Sequence, residues 1–232
     1  MLLQNKKAII YGGGPISGTV AQAFAREGAS VFLAGRNQAK LQAIGAVVRA
    51  AGGQIESAEV DALDEQAVDA HADAVAARAG GIDITFNLIS YGDVQGTPMA
   101  EMVLADFERP IVTAVRTMFL TSRAAARHMI RQKSGVILAF GGEGDPLRDY
   151  YIGGFQIALH VIEAMRRQLS AELGPHGIRV VTLRTGGVPE TIPADMEGRE
   201  SLMDSLEKMT MLGQTAMLGM WPPSSPSTRP AP

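Results

Sequence analysis

A glycine-rich turn near the N-terminus has the residue types and spacing of a phosphate-binding loop. Gly12, Gly14 and Gly18 follow an apolar run at residues 7–11, which predicts a buried strand, and lead into residues 19–27, whose apolar positions recur at helical spacing. Unpaired N–H groups at a helix N-terminus and the positive end of the helix dipole both favour an anion. The turn therefore predicts either a nucleotide phosphate site or a tight turn that needs glycine only for its dihedral angles.

The elements that must position this turn alternate between strand and helix. Strands are predicted over residues 7–11, 30–34, 54–60, 82–89, 136–140 and 178–183, and helices over residues 19–27, 38–51, 64–78, 107–131 and 150–173. This alternation implies βαβ units and a parallel sheet covered on both faces. By the right-handed crossover rule, the sequence predicts an α/β fold: a single three-layer domain with a doubly wound parallel sheet, and with any ligand at the carboxyl ends of its strands.

Composition agrees with one domain and excludes several classes of function. The chain has 232 residues, of which 46% are hydrophobic and 19% charged, which is enough for one sizeable core. The net charge of −3 and the absence of a basic run argue against nucleic acid and membrane partners. With no cysteine and four histidines that lack ligand spacing, no metal site is predicted. A cytoplasmic location is the expectation that this composition allows.

Motifs spread over residues 1–213 resemble those of short-chain dehydrogenases/reductases. Residues 11–18 are similar to the family's TGxxxGxG turn, Asn87 to the first asparagine of its NNAG motif, and Thr185 with Gly186 to its Pro-Gly pair. The resemblance implies a Rossmann-like fold, a bound NAD or NADP, and oxidoreduction of a carbonyl, hydroxyl or enone group in a small-molecule substrate. It also implies a homodimer or a homotetramer.

The resemblance assigns cofactor contacts to the turn and to positions that follow the strands. These positions are Gly12, Gly14, Ile16, Ser17, Gly18, Arg36, Asp61, Asn87 and Gly186. A basic residue after the second strand can pair with the 2′-phosphate of NADP, whereas an acidic one would accept hydrogen bonds from the ribose of NAD. Arg36 therefore favours NADP(H) over NAD(H), against the alternative of a solvated arginine that opens a helix.

Three of these assignments have structural alternatives, and a fourth position departs from the family's pattern. Ile16 replaces the middle glycine of the turn, where the family's backbone approaches the pyrophosphate most closely, so binding is expected to be weakened or displaced. Ser17 either caps the helix, which is the favoured interpretation, or donates to a phosphate oxygen. Asp61 either contacts adenine or is a surface turn residue, and Asn87 either belongs to the site or satisfies a loop backbone.

The family's catalytic side chains are all absent at the matching positions. Alignment on the neighbouring motifs gives Ala114 for the asparagine, Gly142 for the serine, Phe155 for the tyrosine and Leu159 for the lysine. No lysine occurs between residues 133 and 208, and Phe155 and Leu159 extend an apolar helical stripe. Tyr150 and Tyr151 are the remaining candidates. Two hypotheses follow: an NADP-dependent oxidoreductase of atypical mechanism, or a non-catalytic protein that binds a dinucleotide or a partner. Whether the chain is an enzyme is left open.

The C-terminal residues depart from the resemblance. Residues 214–232 are rich in Pro and Ser, which disfavours both helix and strand. The sequence therefore predicts that the family's last strand is missing. The segment is interpreted either as a disordered tail or as the product of a frameshift.

Overall fold

A computed structural model describes residues 1–142, 150–192, 194–196 and 198–220 and shows one six-stranded parallel sheet. The strands are β1 Lys7–Tyr11, β2 Ser30–Gly35, β3 Gln54–Glu59, β4 Ile84–Asn87, β5 Gly135–Gly141 and β6 Ile178–Arg184. Their order across the sheet is β3-β2-β1-β4-β5-β6, and every neighbouring pair is parallel. The order reverses between β1 and β4, so the crevice at the carboxyl ends of these two strands is where such folds bind ligands.

The helices begin and end where local chemistry dictates. They are α1 Pro15–Arg26, α2 Gln38–Ala50, α3 Glu65–Ala79, α4 Leu104–Gln132, α5 Gly154–Leu173 and α6 Arg199–Met209. The side chains of Asn37 and Asp64 accept hydrogen bonds from backbone N–H groups in the first turns of α2 and α3. Helix α1 begins at Pro15, before the predicted start at residue 19, because proline already has helical φ and needs no hydrogen bond at the first position.

Two apolar clusters cover the two faces of the sheet. Ile9 and Tyr11 of β1 join the cluster that packs against α3, α4 and α5, whereas Ile10 joins the one under α1 and α2. Successive side chains of a strand point to opposite faces, so a buried strand must be apolar throughout. The predicted three-layer, doubly wound α/β fold is confirmed. No helix among the described residues is both long enough and apolar enough to cross a membrane.

Strand β6 is an edge of the sheet, and a groove lies beside it. The groove runs between α1 and strands β4 to β6 and is lined by Val20, Ala23, Phe24, Phe86, Leu138, Val181, Thr182 and Leu183. The side chain of Val181 is 46% exposed there. After β6 the described residues form α6 and short 3-10 helices and contain no further strand. Of the predicted tail, residues 214–220 are described, and residues 221–232 lie outside the described part of the chain.

Candidate cofactor and substrate site

The turn after β1 requires glycine at its first position. Gly12 has a φ of +132°, and its N–H donates to the carbonyl of Ala34 at 2.8 Å. A methyl carbon added at Gly12 would lie 2.5 Å from the carbonyl oxygen of Leu88, which is closer than a real side chain tolerates. The ends of β1 and β4 are therefore pressed together at the switch point of the sheet. Gly12 therefore needs glycine for its conformation, which is compatible with both interpretations of the turn.

The N-terminus of α1 meets the conditions for an anion site. Gly14 is the N-cap residue and makes no side-chain capping bond, and the first turn contains no acidic residue. A methyl carbon added at Gly14 would meet no atom within 4 Å, so the space in front of the helix is open. The first N–H groups of a helix lack intrahelical acceptors and carry its positive dipole end. Gly18, by contrast, donates its N–H to Gly14 and packs near Ile44.

Ser17 does not cap the helix, so this expectation was wrong. Because α1 begins at Pro15, Ser17 is already inside the first turn, and the capping position belongs to Gly14. Its side chain is 1% exposed, and its hydroxyl has no hydrogen-bond partner among the described residues. The hydroxyl oxygen lies 2.8 Å from where a Cβ of Gly12 would be. An unpartnered buried hydroxyl beside the turn leaves a donor available to a bound group.

Ile16 forms part of an apolar wall. Its half-buried side chain lines a small cavity together with Thr19, Val20, Phe140, Thr185, Val188, Ala216, Met217 and Leu218. The N–H of Thr185 donates to the carbonyl of Gly141 at 3.3 Å, which ties the segment after β6 to the end of β5. Gly186 faces open space, since a Cβ there would meet nothing within 4 Å. The wall therefore joins the glycine turn to the segment after β6.

Arg36 lies directly beside the glycine turn. A Cβ on the preceding residue, Gly35, would be 3.7 Å from backbone atoms of both Gly12 and Gly13. The Arg36 side chain is exposed and forms no ion pair with a described residue. Glu59 is the register partner of Gly35 on β3, so one acidic side chain is close without pairing to Arg36. The guanidinium is thus available to an anion at the end of β2.

Asp61 and Asn87 both make local hydrogen bonds. Asp61 is exposed, and one of its carboxylate oxygens accepts from the N–H of Leu63 at 3.0 Å. Asn87 is 5% exposed; its amide donates to the Thr117 hydroxyl at 3.0 Å and accepts from the N–H of Ile89 at 3.0 Å. The amide of Asn87 therefore fixes the loop after β4. Asp61 keeps its second oxygen for other partners.

The four positions that the alignment gives for the catalytic set carry no ionisable side chain. Ala114 is fully buried in the core, and Leu159 is 9% exposed. A methyl carbon added at Gly142 would lie 3.2 Å from Cδ1 of Leu159, so these two residues adjoin. The Phe155 ring stands 6.2 Å, centroid to centroid, from the ring of Tyr91. The structure thus brings Gly142 and Leu159 together in apolar surroundings.

Tyr150 and Tyr151 both contact the loop that follows β4. The Tyr150 hydroxyl donates to Oε1 of Gln95 at 2.9 Å, and burial, followed by the charge of Asp93, raises the pKa of this phenol. Tyr151 is 45% exposed, and its carbonyl accepts from the N–H of Gly96 at 2.7 Å. These contacts bind the segment before α5 to that loop.

Tyr91 is a residue that sequence reasoning missed. Its hydroxyl donates to the carbonyl of Phe140 at 3.4 Å, while its ring packs beside that of Phe155. Burial, followed by the charge of Asp93, raises the pKa of Tyr91 to about 12. Its position four residues after Asn87, at the carboxyl end of β4, was the available signal.

Comparison with known proteins identifies the family. A family profile described as Enoyl-(Acyl carrier protein) reductase matches residues 15–218. The uncharacterized oxidoreductase YxbG of Bacillus subtilis is 30% identical over 187 residues, which cover 80% of this chain and 68% of the relative. The chain therefore belongs to the short-chain dehydrogenase/reductase family, a family of oxidoreductases.

Solved structures with both nicotinamide cofactors are similar to this chain. A metagenomic short-chain oxidoreductase in complex with NADP has a TM-score of 0.73 and 27% identity, and the match covers 81% of this chain and 85% of that one. An NAD+-bound xylitol dehydrogenase has a TM-score of 0.82 and 22% identity, with 96% and 91% covered. The second likeness shows the fold alone.

Proposed function

We propose that the protein is an NADP(H)-dependent oxidoreductase that acts on a carbonyl, hydroxyl or enone group without the usual catalytic side chains. The observation that carries the proposal is the guanidinium of Arg36, which lies beside the glycine turn and pairs with no carboxylate among the described residues. A guanidinium can bind a phosphate through two parallel hydrogen bonds, which a ribose hydroxyl cannot match in strength. Arg36 therefore favours the cofactor that carries a 2′-phosphate.

The residues present fit a dinucleotide. The open N-terminus of α1 and the unpartnered hydroxyl of Ser17 suit a pyrophosphate. Arg36 would hold the 2′-phosphate, Asp61 would contact adenine, and Gly186 would leave room on the other side of the crevice. When bound, a nicotinamide cofactor supplies or accepts a hydride.

The chain's own contribution is a dry, apolar surface. Ile16, Phe140 and Val188 line an apolar wall beside the glycine turn, which would limit the access of water to the crevice. Leu159 and Gly142 add an apolar floor at the end of β5. Water exclusion strengthens the electrostatic interactions in such a site and limits side reactions. An apolar substrate suits this surface better than a charged one.

The cofactor preference is tested by Arg36→Ala. A hydrogen bond to a charged group is worth about 1.5–3 kcal/mol, so the dissociation constant for NADPH should rise by roughly 10- to 150-fold. The dissociation constant for NADH should change little, because NADH has no 2′-phosphate. Arg179→Ala is the matched control, since Arg179 is an exposed arginine at the amino end of β6, the opposite edge of the sheet. Equal weakening of both cofactors in the Arg36 variant would contradict the proposal.

A second candidate function is a non-catalytic protein that binds a dinucleotide or a partner. The four apolar residues at the aligned catalytic positions, and the complete burial of Ala114 among them, favour it. Turnover separates the two candidates. An enzyme must consume NADPH with at least one ketone, aldehyde or enone, and this consumption must scale with protein concentration. A binding protein shows NADPH affinity with no turnover across the same panel.

A further inference from the structure

Tyr91 connects the ends of two elements that meet at the proposed substrate site. Its hydroxyl contacts the carbonyl of Phe140, the second-to-last residue of β5, at 3.4 Å. Its ring contacts Phe155, which is in the first turn of α5, at a centroid distance of 6.2 Å and an interplanar angle of 47°. One phenol therefore spans the carboxyl end of β5 and the amino end of α5.

Three of the four apolar positions surround this same place. Gly142 follows β5 directly, and Leu159 lies one turn of α5 beyond Phe155 and adjoins Gly142. The Tyr91 hydroxyl bond is long, at 3.4 Å between oxygens, and O–H to O bonds of ordinary strength are shorter. The phenol can therefore exchange this acceptor for a stronger one.

We propose that the Tyr91 hydroxyl donates a hydrogen bond, and then its proton, to the carbonyl oxygen of a ketone or aldehyde substrate bound over Phe155 and Leu159. This inference rests on the proposed function. In this role Tyr91 supplies the proton that Gly142, Phe155 and Leu159 cannot supply.

The chemical step balances with one phenol and one water molecule. A bound reduced nicotinamide would supply a hydride to the carbonyl carbon, and the π electron pair would move to the carbonyl oxygen. That oxygen takes the proton of Tyr91, which gives an alcohol and leaves a phenolate. Water then returns a proton to the phenolate and leaves a hydroxide ion, which the buffer neutralises. An alkoxide is a stronger base than a phenolate, so the transfer is downhill even from a phenol with a raised pKa.

The surroundings of Tyr91 predict reduction rather than oxidation. Burial and the charge of Asp93 in its own loop raise the pKa of Tyr91 to about 12. On α4, Arg109 donates to the carbonyl of Gly92 and pairs with Asp106, while His160 on α5 is exposed and bonded to the carbonyl of Gln156. Strand β5 carries no charged side chain. The phenol therefore stays protonated at neutral pH, where it can donate a proton but cannot accept one.

Tyr91→Phe is the test, with Tyr11→Phe as the matched control, because the Tyr11 phenol is also buried but its hydroxyl contacts His71 on α3 at 3.4 Å. Phenylalanine keeps the ring contact with Phe155, so the variant should fold, and circular dichroism checks this. General acid catalysis is worth roughly 100- to 10,000-fold, so the kcat for carbonyl reduction should fall by at least about 100-fold. The dissociation constant for NADPH should stay unchanged. In the wild-type protein kcat should not fall as pH rises from about 6 to about 10, because the phenol keeps its proton there.

A second readout does not depend on turnover. The chain has four tyrosines, so carbon-13 labelling of the tyrosine Cζ atoms gives four signals, and the one missing from Tyr91→Phe is assigned to Tyr91. Acetophenone added to the wild-type protein saturated with NADP+ forms a complex that cannot react. The Tyr91 signal should shift on this addition, and the signal of Tyr11, which lies in the core, should not.

The outcomes separate this inference from the proposed function. Two results would overturn the role of Tyr91: a Tyr91→Phe variant that keeps kcat within about threefold of wild type, or a Tyr91 signal that does not move with acetophenone. In either case an active wild-type protein would still support the proposed oxidoreductase. A wild type that binds NADPH but reduces no carbonyl overturns both the role and the oxidoreductase. A folded wild type that binds no NADPH overturns the cofactor site as well.

Discussion

Replacing Gly12 with alanine should destabilise the fold strongly. The φ of Gly12 is +132°, a conformation that costs a residue with a side chain about 1–3 kcal/mol. The new carbon would also lie 2.5 Å from the carbonyl oxygen of Leu88. Forced overpacking of this kind adds about 1–3 kcal/mol. We expect Gly12→Ala to lower the free energy of unfolding by about 4 kcal/mol.

Urea denaturation followed by far-ultraviolet circular dichroism measures this change. For a domain of this size, about 4 kcal/mol corresponds to a drop in Tm of roughly 8–16 °C. Gly186→Ala is the matched control, because a Cβ there meets nothing within 4 Å and its φ is not in the left-handed region. Its unfolding free energy should stay the same or rise by up to about 1 kcal/mol, since alanine restricts the unfolded chain. A Gly12→Ala variant within about 1 kcal/mol of wild type would refute the account of the turn.

Three further changes test the packing and charge of the fold. Thr117→Val leaves the buried amide of Asn87 without its acceptor and should lower the free energy of unfolding by about 1–3 kcal/mol in urea, whereas no loss would contradict the role of that bond. Burial, followed by the charge of Arg78, lowers the pKa of His71 to about 4. Between pH 6.5 and about 4 the unfolded chain therefore binds a proton that the folded protein does not, and the free energy of unfolding should fall as pH drops through this range. His71→Gln should remove this pH dependence of stability. The hydrogen bond from Arg166 lowers the pKa of Glu163 from its ordinary value of 4.5 to about 2. The ionised carboxylate therefore stabilises the fold above pH 4.5, and this stabilisation should disappear as pH falls toward 2. Glu163→Gln should remove this pH dependence of Tm in thermal melts.

The fold was predictable because its determinants are local and periodic. The apolar runs that became β1 and β2 are buried on both faces, as a covered parallel sheet requires, whereas every second residue of β5 is half-buried. Boundaries were less predictable, since they depend on single backbone conformations. Helix α5 begins at Gly154 rather than at the predicted residue 150. The residue before it, Gly153, has a φ of +50°, which is not helical, so the helix cannot extend further toward the N-terminus.

The site residues were predictable only where a residue's place in the sequence, directly after a strand, puts it at the site. Gly12 and Arg36 directly follow the neighbouring parallel strands β1 and β2. They therefore lie together at the carboxyl ends of these strands, whatever the rest of the chain contacts. Tyr91 could not be inferred in this way, because its contacts with Phe140 and Phe155 join residues about fifty and sixty positions away in the sequence. Ser17 was misjudged because the start of α1 depends on Pro15.

A titration of the purified, folded wild-type protein with NADPH and NADH, followed by nucleotide fluorescence, tests the central claim most directly. The account predicts saturable binding of NADPH with a dissociation constant at least about tenfold below that for NADH, because only NADPH brings a phosphate to Arg36. Absence of binding to either nucleotide, from protein that circular dichroism shows to be folded, would contradict it.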